Sequence, residues 1–150
     1  MVSEDDVILL DTNVLLDVLT ERRPYYEPSE EVWSLCENGE AKGLVSAISF
    51  NNTFYLVRKW GGIAKAYTVL QTLRDVFAVV ALDDQVLKQA ISGGFSDFED
   101  AIQYYSAVLG KADFVVTRNV KDYSKGSIPA MSPEEYLARR RLKDQGEGQT

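Results

Sequence analysis

Acidic and amide side chains stand directly behind short apolar runs of this sequence. Asp11 follows the run 7–10, and Asn119 and Asp122 follow the run 114–117. A carboxylate placed after four residues that are expected to be buried needs a hydrogen-bonding partner or a metal ion. Carboxylate and amide oxygens are the hard ligands that Mg²⁺ and Mn²⁺ prefer. These residues are therefore candidates for a divalent-metal site.

A second acidic group opens a predicted helix over 97–109. Asp97 and Asp100 are three residues apart, so both can lie on one face of the first helical turn. Each acidic residue also has a structural alternative. Asp97 can cap the helix, and Glu99 can complete a capping box with Ser96. The spacing alone leaves these alternatives open.

The composition excludes several classes of catalytic site. The chain has no histidine, which removes serine and cysteine catalysis with a histidine base, and histidine ligation of metals. Its single cysteine, Cys36, can form neither an internal disulfide nor a cysteine-built zinc site, and its apolar helical stripe favours a core position. Any catalysis must rest on carboxylates, amides, hydroxyls or lysines.

The charge balance limits the partners of the chain. A net charge of −7 argues against passive binding to a nucleic-acid backbone, which normally requires a basic face. It is compatible with an enzyme that binds a divalent cation, because such an ion reverses the local charge. No apolar run is long enough to cross a bilayer, and the acidic start 1–6 differs from a basic secretory leader. We therefore expect a cytoplasmic protein with no membrane partner.

The hydrophobic pattern alternates between short β-rich runs and longer helical stretches. Strands are predicted at 7–10, 43–47, 77–82 and 114–117, with an edge strand at 128–131. Helices are predicted at 14–19, 28–37, 50–60, 63–75, 86–91 and 97–109, and another begins after Ser132. The alternation predicts a three-layer α/β/α sandwich with a mainly parallel four- to five-stranded sheet. We expect one domain over 1–142 and a disordered polar tail over 143–150.

In open sheets of this kind, ligands bind beyond the carboxyl ends of the strands. The candidate carboxylates and amides all follow predicted strands or open the helices beside them. The sequence therefore predicts that they gather into one acidic site at this edge of the sheet.

Four segments occur in a distinctive order: DTNVLLD at 11–17, SAISFNN at 46–52, DFEDAI at 97–102 and TRNVKD at 117–122. In this order they resemble the PIN-domain family, and within it the VapC-like ribonuclease toxins of toxin–antitoxin pairs. The resemblance extends from Val7 to about Leu137. A single DTN triplet is weak evidence, whereas four ordered segments in matching strand contexts are specific.

The resemblance implies a catalytic set of Asp11, Asn52, Asp100 and Asn119. Asp11 and Asp100 match metal-binding aspartates of the family, and Asp97 matches a further acidic position that can ligate the metal. Asn52 and Asn119 occupy places where many members carry glutamate and aspartate. Both departures remove negative charge, which weakens metal affinity, and an amide cannot act as a general base.

Other positions of the four segments have supporting roles by the same resemblance. Thr117, Asp122 and Glu99 would hold the ligands in place, and Arg118 or Lys121 would steady a phosphate. Solvated surface charge is the alternative for both cations.

The implied activity is hydrolysis of RNA phosphodiester bonds with Mg²⁺ or Mn²⁺ as cofactor. The implied partners are an RNA substrate, an inhibitory antitoxin protein and a second copy of the chain in a homodimer. Two alternatives remain open. One is a catalytically degenerate interaction module of the same fold, and the other is a phosphotransfer enzyme with Asp11 as nucleophile. The second is disfavoured because such enzymes want an aspartate where this chain has Asn13.

Overall fold

The protein is described by a computed structural model that covers residues 6–148, so the chain ends at 1–5 and 149–150 lie outside the described residues. The strands are β1 (Val7–Leu10), β2 (Lys42–Ser46), β3 (Ala78–Val80), β4 (Phe114–Val116) and β5 (Ala130–Met131). The helices are α1 (Thr12–Leu19), α2 (Tyr26–Glu37), α3 (Ala47–Val76), α4 (Asp84–Ser92), α5 (Phe98–Leu109) and α6 (Pro133–Gly148). A 3₁₀ turn occupies Val120–Tyr123. Across the described range, no helix is both long and apolar enough to cross a membrane.

The strands form one parallel sheet in the order β3-β2-β1-β4-β5, with β1 at its centre. Leu9 of β1 pairs with Leu44 of β2 and Val115 of β4, and its side chain packs toward α5. Ile8 and Leu10 point to the opposite face, where α1, α2 and α6 pack. Helices therefore cover both faces, which confirms the predicted α/β/α sandwich.

The strand register places the carboxyl ends of β1 and β4 side by side at one edge of the sheet. Leu10 pairs with Val116, and the backbone N–H of Asp11 donates to the Val116 carbonyl at 3.0 Å. The Asp11 carboxylate accepts the N–H of Thr12 and so caps α1. As a result, Asp11 and Thr117, the first residues after β1 and β4, lie next to each other at this edge of the sheet.

The helices predicted at 50–60 and 63–75 are the two halves of α3. They are separated at Gly62, whose φ of 84° and ψ of 174° interrupt the helical backbone. Glycine adopts this positive φ without the steric penalty that a Cβ imposes. The gap left between the helices predicted at 50–60 and 63–75 therefore corresponds to the break at Gly62.

The C-terminal helix α6 differs from the sequence prediction at its end. The helix begins after Ser132 as predicted, and Ser132 and Glu135 form a capping box there, with hydrogen bonds of 3.0 and 3.1 Å between each side chain and the other's backbone N–H. The helix then continues to Gly148, through the stretch predicted as a disordered tail from Lys143. Lysine, glutamine and glutamate favour helix, so nothing stops α6 before its glycines.

Candidate active site

A cavity of about 550 Å³ opens at the carboxyl ends of β1 and β4, and most of the predicted site residues line it. Seven of them contribute to its wall: Asp11, Asn52, Asp97, Glu99, Asp100, Asn119 and Asp122. Thr117 lies behind this wall, hydrogen bonded to Asp11. Arg118 and Lys121 do not line the cavity, whereas Arg22 does.

The Asp11 carboxylate is buried at the base of the cavity, with 4% of the residue exposed. Its Oδ1 accepts the N–H of Thr12 at 2.7 Å. Its Oδ2 accepts the hydroxyls of Thr117 and Tyr123, each at 2.9 Å. The Asn13 amide approaches the same oxygen at 3.4 Å. Neutral donors therefore fix the carboxylate without neutralising its charge.

Burial raises the pKa of Asp11 above its ordinary value, and this effect is larger than the opposing effect of its hydrogen bonds. Thr117 and Tyr123 lower the pKa because they donate to the ionised form, while the nearby charge of Asp122 raises it. A cation bound at Asp11 would relieve the cost of burying this charge.

The first turn of α5 brings three more carboxylates to the cavity. Asp97 is the N-cap, and its Oδ1 accepts the N–H of Asp100 at 2.9 Å. Asp97 therefore combines the capping role with a place in the acidic wall. Glu99 also lines the cavity, and the described residues contain no hydrogen bond from it to Ser96 that would complete a capping box.

The carboxylates of the cavity raise one another's pKa. Burial and then the charge of Asp97 raise the pKa of Asp100 to about 7. The pKa of Glu99 is raised by burial and by Asp11 and Asp97. The amide of Asn52 partly offsets this for Glu99, although no hydrogen bond of ordinary geometry joins the two side chains. The cavity thus concentrates negative charge that a cation would balance.

Asn52 presents a polar group that the protein leaves unsatisfied. Its Nδ2 is buried and, among the described residues, has no hydrogen-bond acceptor. A buried donor without a partner is costly, so it favours a ligand that accepts a hydrogen bond. A phosphate oxygen or a water molecule meets this requirement, and a metal ion would bind the amide oxygen instead.

The donor set fits a divalent cation that keeps much of its water. Within residues 6–148, no three acidic side chains converge closely enough to hold an ion by themselves. Asp11, Asp97 and Asp100 share the cavity without forming a closed cage. Mg²⁺ commonly keeps several waters and takes only one or two carboxylates, so this open arrangement suits it.

Comparison with known proteins settles the family of this fold and site. Residues 7–121 match the family model of the PIN domain. The chain belongs to the PIN-domain family. No curated protein sequence matches the chain.

Solved structures similar to this PIN domain include components of toxin–antitoxin systems. A toxin–antitoxin complex from Klebsiella pneumoniae matches with a TM-score of 0.63 and 22% identity, over 84% of this chain and 97% of that chain. DNA-bound VapBC from Salmonella typhimurium matches with a TM-score of 0.65 and 17% identity, over 85% and 98%. The sarcin-ricin loop cleaving toxin VapC20 of Mycobacterium tuberculosis matches with a TM-score of 0.59 and 14% identity, over 72% and 86%. At these identities the similarity establishes a shared fold.

In this PIN domain the two cations predicted to steady a phosphate lie outside the acidic cavity. The Arg118 guanidinium pairs with Asp17 through contacts of 2.6 and 3.3 Å, and it stacks on the Tyr25 ring 4.0 Å from its centroid. Lys121 is exposed in the 3₁₀ turn. A phosphate-binding role for either residue stays a prediction. The basic residue of the cavity wall is Arg22, which the sequence analysis did not single out.

Tyr123 is a second residue that the sequence analysis missed. It is 1% exposed, and its hydroxyl donates to Asp11, 112 positions away in the sequence. The available signal was a large aromatic residue within the otherwise polar segment that follows β4. Burial and the surrounding carboxylates raise the pKa of Tyr123, so it acts as a neutral hydrogen-bond donor.

A buried polar layer joins the three helix starts that carry the cavity wall. The amide nitrogen of Gln103 in α5 donates to Ser49 Oγ in α3 at 2.9 Å and to Thr12 Oγ1 in α1 at 3.2 Å. The two hydroxyls lie 2.8 Å apart. Gln103 is fully buried, and its spacing on α5 gave no reason to predict this contact. The PIN domain of this chain therefore fixes α1, α3 and α5 relative to one another directly behind the acidic wall.

Proposed function

We propose that this protein is a divalent-metal-dependent endoribonuclease that hydrolyses RNA phosphodiester bonds. The observation that carries the proposal is the acidic cavity, where Asp11, Glu99 and Asp100 all have raised pKa values and form no ion pair with any described residue. Such an arrangement is costly for folding alone and useful for holding a metal ion against a phosphate. Membership of the PIN-domain family supports the same activity.

Each residue of the cavity has a role in this proposal. Asp11 and Asp100 would hold a Mg²⁺ or Mn²⁺ ion, with Asp97 contributing directly or through water. A bound ion of this kind lowers the pKa of its water and stabilises the charge that develops on the phosphate. Asn52 would donate to the attacking water or to a phosphate oxygen, and Asn119 contributes a further amide to the cavity wall.

Neutral side chains behind Asp11 keep the metal ligand oriented. Thr117 and Tyr123 donate to the Oδ2 of Asp11, and its Oδ1 retains a lone pair beside the N–H of Thr12. Asp122 adds charge at the edge of the cavity. Groups that orient a ligand in this way typically contribute about 10- to 100-fold in metal affinity or activity.

We further propose that the protein is the toxin of a toxin–antitoxin pair. Solved structures with this fold include toxin–antitoxin complexes from Klebsiella pneumoniae and Salmonella typhimurium. The negative charge of the cavity suits an antitoxin segment that inserts an arginine, which pairs well with carboxylates. A homodimer is the expected assembly, and an RNA substrate places the activity in the cytoplasm. The antitoxin is tested by coexpressing this chain with the protein encoded next to it. We expect the two to copurify, and an arginine-containing peptide should compete for the cavity and release the partner.

The ribonuclease activity is tested by removing and restoring the metal. Purified protein is incubated with a mixed pool of single-stranded and looped RNAs in the presence of Mg²⁺ or Mn²⁺, and metal binding is followed by calorimetry. We expect cleavage that stops on addition of chelator and returns with excess metal, at unchanged far-UV circular dichroism. A folded protein that binds neither metal and cuts no RNA contradicts the proposal.

One observation favours a second candidate, an interaction module of the same fold without catalysis. Over the described part of the chain, no three acidic side chains form a ready-made metal cage. The same experiment separates the two candidates, because the interaction module retains its fold and binds a partner without metal-dependent cleavage.

A further inference from the structure

One long segment of this acidic chain carries cations and no acidic residues. Residues 41–74 contain five lysines and arginines and no aspartate or glutamate, so this segment carries +5 and the rest of the chain −12. Most of this segment is α3, which begins at the acidic cavity and leads away from it. Four of the five cations belong to α3, and the fifth, Lys42, lies at the start of β2. The net charge of −7 therefore does not exclude a locally basic helix beside the proposed active site.

A second cavity adjoins the acidic one along α3. Its volume is about 510 Å³, and its wall includes Trp60 and Lys65 of α3 together with Glu21 and Arg22 from the end of α1. Arg22 lines both cavities, so they meet at its side chain. Its Nε lies 3.8 Å from the nearest Asp17 oxygen, beyond hydrogen-bond distance, and 42% of its side chain is exposed.

Exposed aromatic residues follow the same side of α3. Asn52, Leu56 and Trp60 are spaced four residues apart, so they lie along one stripe of the helix that starts in the acidic cavity. Tyr55, in the cavity wall, is 57% exposed, and Trp60, in the second cavity, is 55% exposed. Neighbouring exposed apolar groups of this kind are typical of a binding surface.

The cations of α3 are also free of acidic partners. Some arginines and lysines in the described chain pair with carboxylates, as Arg118 does with Asp17 and Lys88 with Asp84. Lys65 makes no such pair with any described residue, and the same holds for Arg58 and Lys59. Their positive charge is therefore available to an anionic partner.

We propose that Arg22, Tyr55, Trp60 and Lys65, together called the α3 track, bind the single-stranded RNA segment adjoining the phosphate that is cut. This inference rests on the proposed ribonuclease function and assigns the path of its substrate. Single strands bind where cations contact phosphates and aromatic rings stack on bases. The α3 track supplies both, and the acidic cavity at its end holds the metal.

The length of the track sets the number of nucleotides it contacts. Eight residues of helix separate Asn52 from Trp60, which is about 12 Å along the axis. A stacked strand carries one phosphate per about 3.4 Å, so the track spans about three or four nucleotides. A dinucleotide is too short to reach Trp60 from the acidic cavity.

The two tryptophans of the chain allow a direct test. Trp33 is 6% exposed and packs on Phe77, so quenching of tryptophan fluorescence by stacked bases reports on Trp60. Wild-type protein is titrated with a dinucleotide and with a single strand of about 12 nucleotides, in chelator so that no metal-dependent cleavage occurs. We expect saturable quenching by the longer RNA only. Trp60→Ala should weaken its binding at least about fivefold, and Trp60→Phe should restore most of the affinity.

The electrostatic part of the track is tested with a matched pair of lysines. Lys65→Gln should reduce the slope of log affinity against log salt by about 0.7, the value for one lost phosphate contact to a single strand. Lys42→Gln removes the same charge from an exposed position at the opposite end of the sheet, at the start of β2, and should leave the slope unchanged.

The outcomes separate this inference from the proposed function. If the wild type cuts RNA but Trp60→Ala and Lys65→Gln bind it as well as Lys42→Gln does, the α3 track is wrong and the ribonuclease stands. Absence of both RNA binding and cleavage overturns both. Trp60→Ala could instead dissociate a homodimer, as measured by sedimentation, or release a protein partner, while its RNA affinity stays unchanged. In that case this surface of α3 binds the second protein and the α3 track is overturned.

Discussion

Asp11 and Asp17 are both buried and lie six positions apart, but only Asp17 has a positively charged partner among the described residues. Asp17 is fully buried and pairs with Arg118, which neutralises its charge at 2.6 Å. Asp11 is buried to nearly the same extent, yet its described hydrogen-bond partners are all neutral. Burial is the largest cause of a raised pKa in both. A buried carboxylate that pairs with an arginine of the same chain has a structural role. A buried carboxylate without such a partner is suited to binding a cation from solution.

The largest expected effect is on Asp11. Asp11→Asn removes the charge while an amide oxygen can still cap α1, so we expect cleavage and Mn²⁺ affinity to fall more than about 100-fold with the fold intact. Calorimetry and RNA cleavage measure the loss, and circular dichroism checks the fold. Asp84→Asn, an exposed carboxylate of α4, is the matched control. Undiminished metal binding in Asp11→Asn would show that Asp11 is not a ligand.

The same substitution at Asp17 should lower stability and leave metal binding intact, the opposite of the result expected at Asp11. Asp17→Asn leaves the guanidinium of Arg118 partly buried without its anion, because only 23% of that side chain is exposed. We expect the free energy of unfolding to fall by about 2 to 3 kcal/mol, somewhat below the cost for a fully buried pair. Urea denaturation measures it, and metal affinity below the unfolding transition should be retained. If Asp17→Asn is as stable as the wild type, the ion pair between Asp17 and Arg118 does not stabilise the fold.

A smaller effect is expected where a neutral donor supports Asp11. Tyr123→Phe removes one of two hydroxyls that hold the Oδ2 of Asp11, so Mn²⁺ affinity should fall about tenfold. Tyr136→Phe is a close control, because Tyr136 is also buried and its hydroxyl donates at 2.9 Å to Asp6, outside the cavity. Tyr123→Phe loses one hydrogen bond, and Tyr136→Phe loses two because Arg140 also donates to its hydroxyl at 3.3 Å. Each bond contributes about 1 kcal/mol of stability. Equal metal affinity in the two would assign Tyr123 to the fold alone.

The smallest effect is the pH dependence that Asp100 gives the metal-free protein. Burial and then Asp97 raise its pKa to about 7, so between about pH 4 and 7 the folded protein binds more protons than the unfolded chain. Stability from this group is therefore lost as the pH rises through that range. We expect the Tm to rise by a few degrees when the pH is lowered from about 8 to about 6 in chelator.

Differential scanning fluorimetry with two variants checks this dependence. Asp100→Asn should raise the Tm above pH 7 and flatten the curve, because the repulsion no longer depends on pH. Asp84→Asn, outside the cavity, should follow the wild type. Identical curves for Asp100→Asn and the wild type would show that repulsion at Asp100 does not affect stability.

Local sequence rules accounted for much of the framework. Strand β1 spans the predicted run 7–10, which depends on burial. Helix α6 begins after Ser132 as predicted, because its capping box depends only on neighbouring residues. The site residues Asp11 and Asp100 share one cavity as expected, because parallel strands bring their carboxyl ends to one edge. Which of them bind metal stays a prediction.

The sequence by itself determined the order of strands and helices, the family resemblance and the acidic edge, because these depend on periodicity and on residue types at strand ends. Tertiary structure alone decided which groups meet across the chain. It pairs Arg118 with Asp17, 101 positions away, and brings Tyr123 to Asp11, 112 positions away. Both contacts depend on how α1 packs against the segment after β4, and side-chain directions across such a contact are set by packing rather than by neighbouring residues.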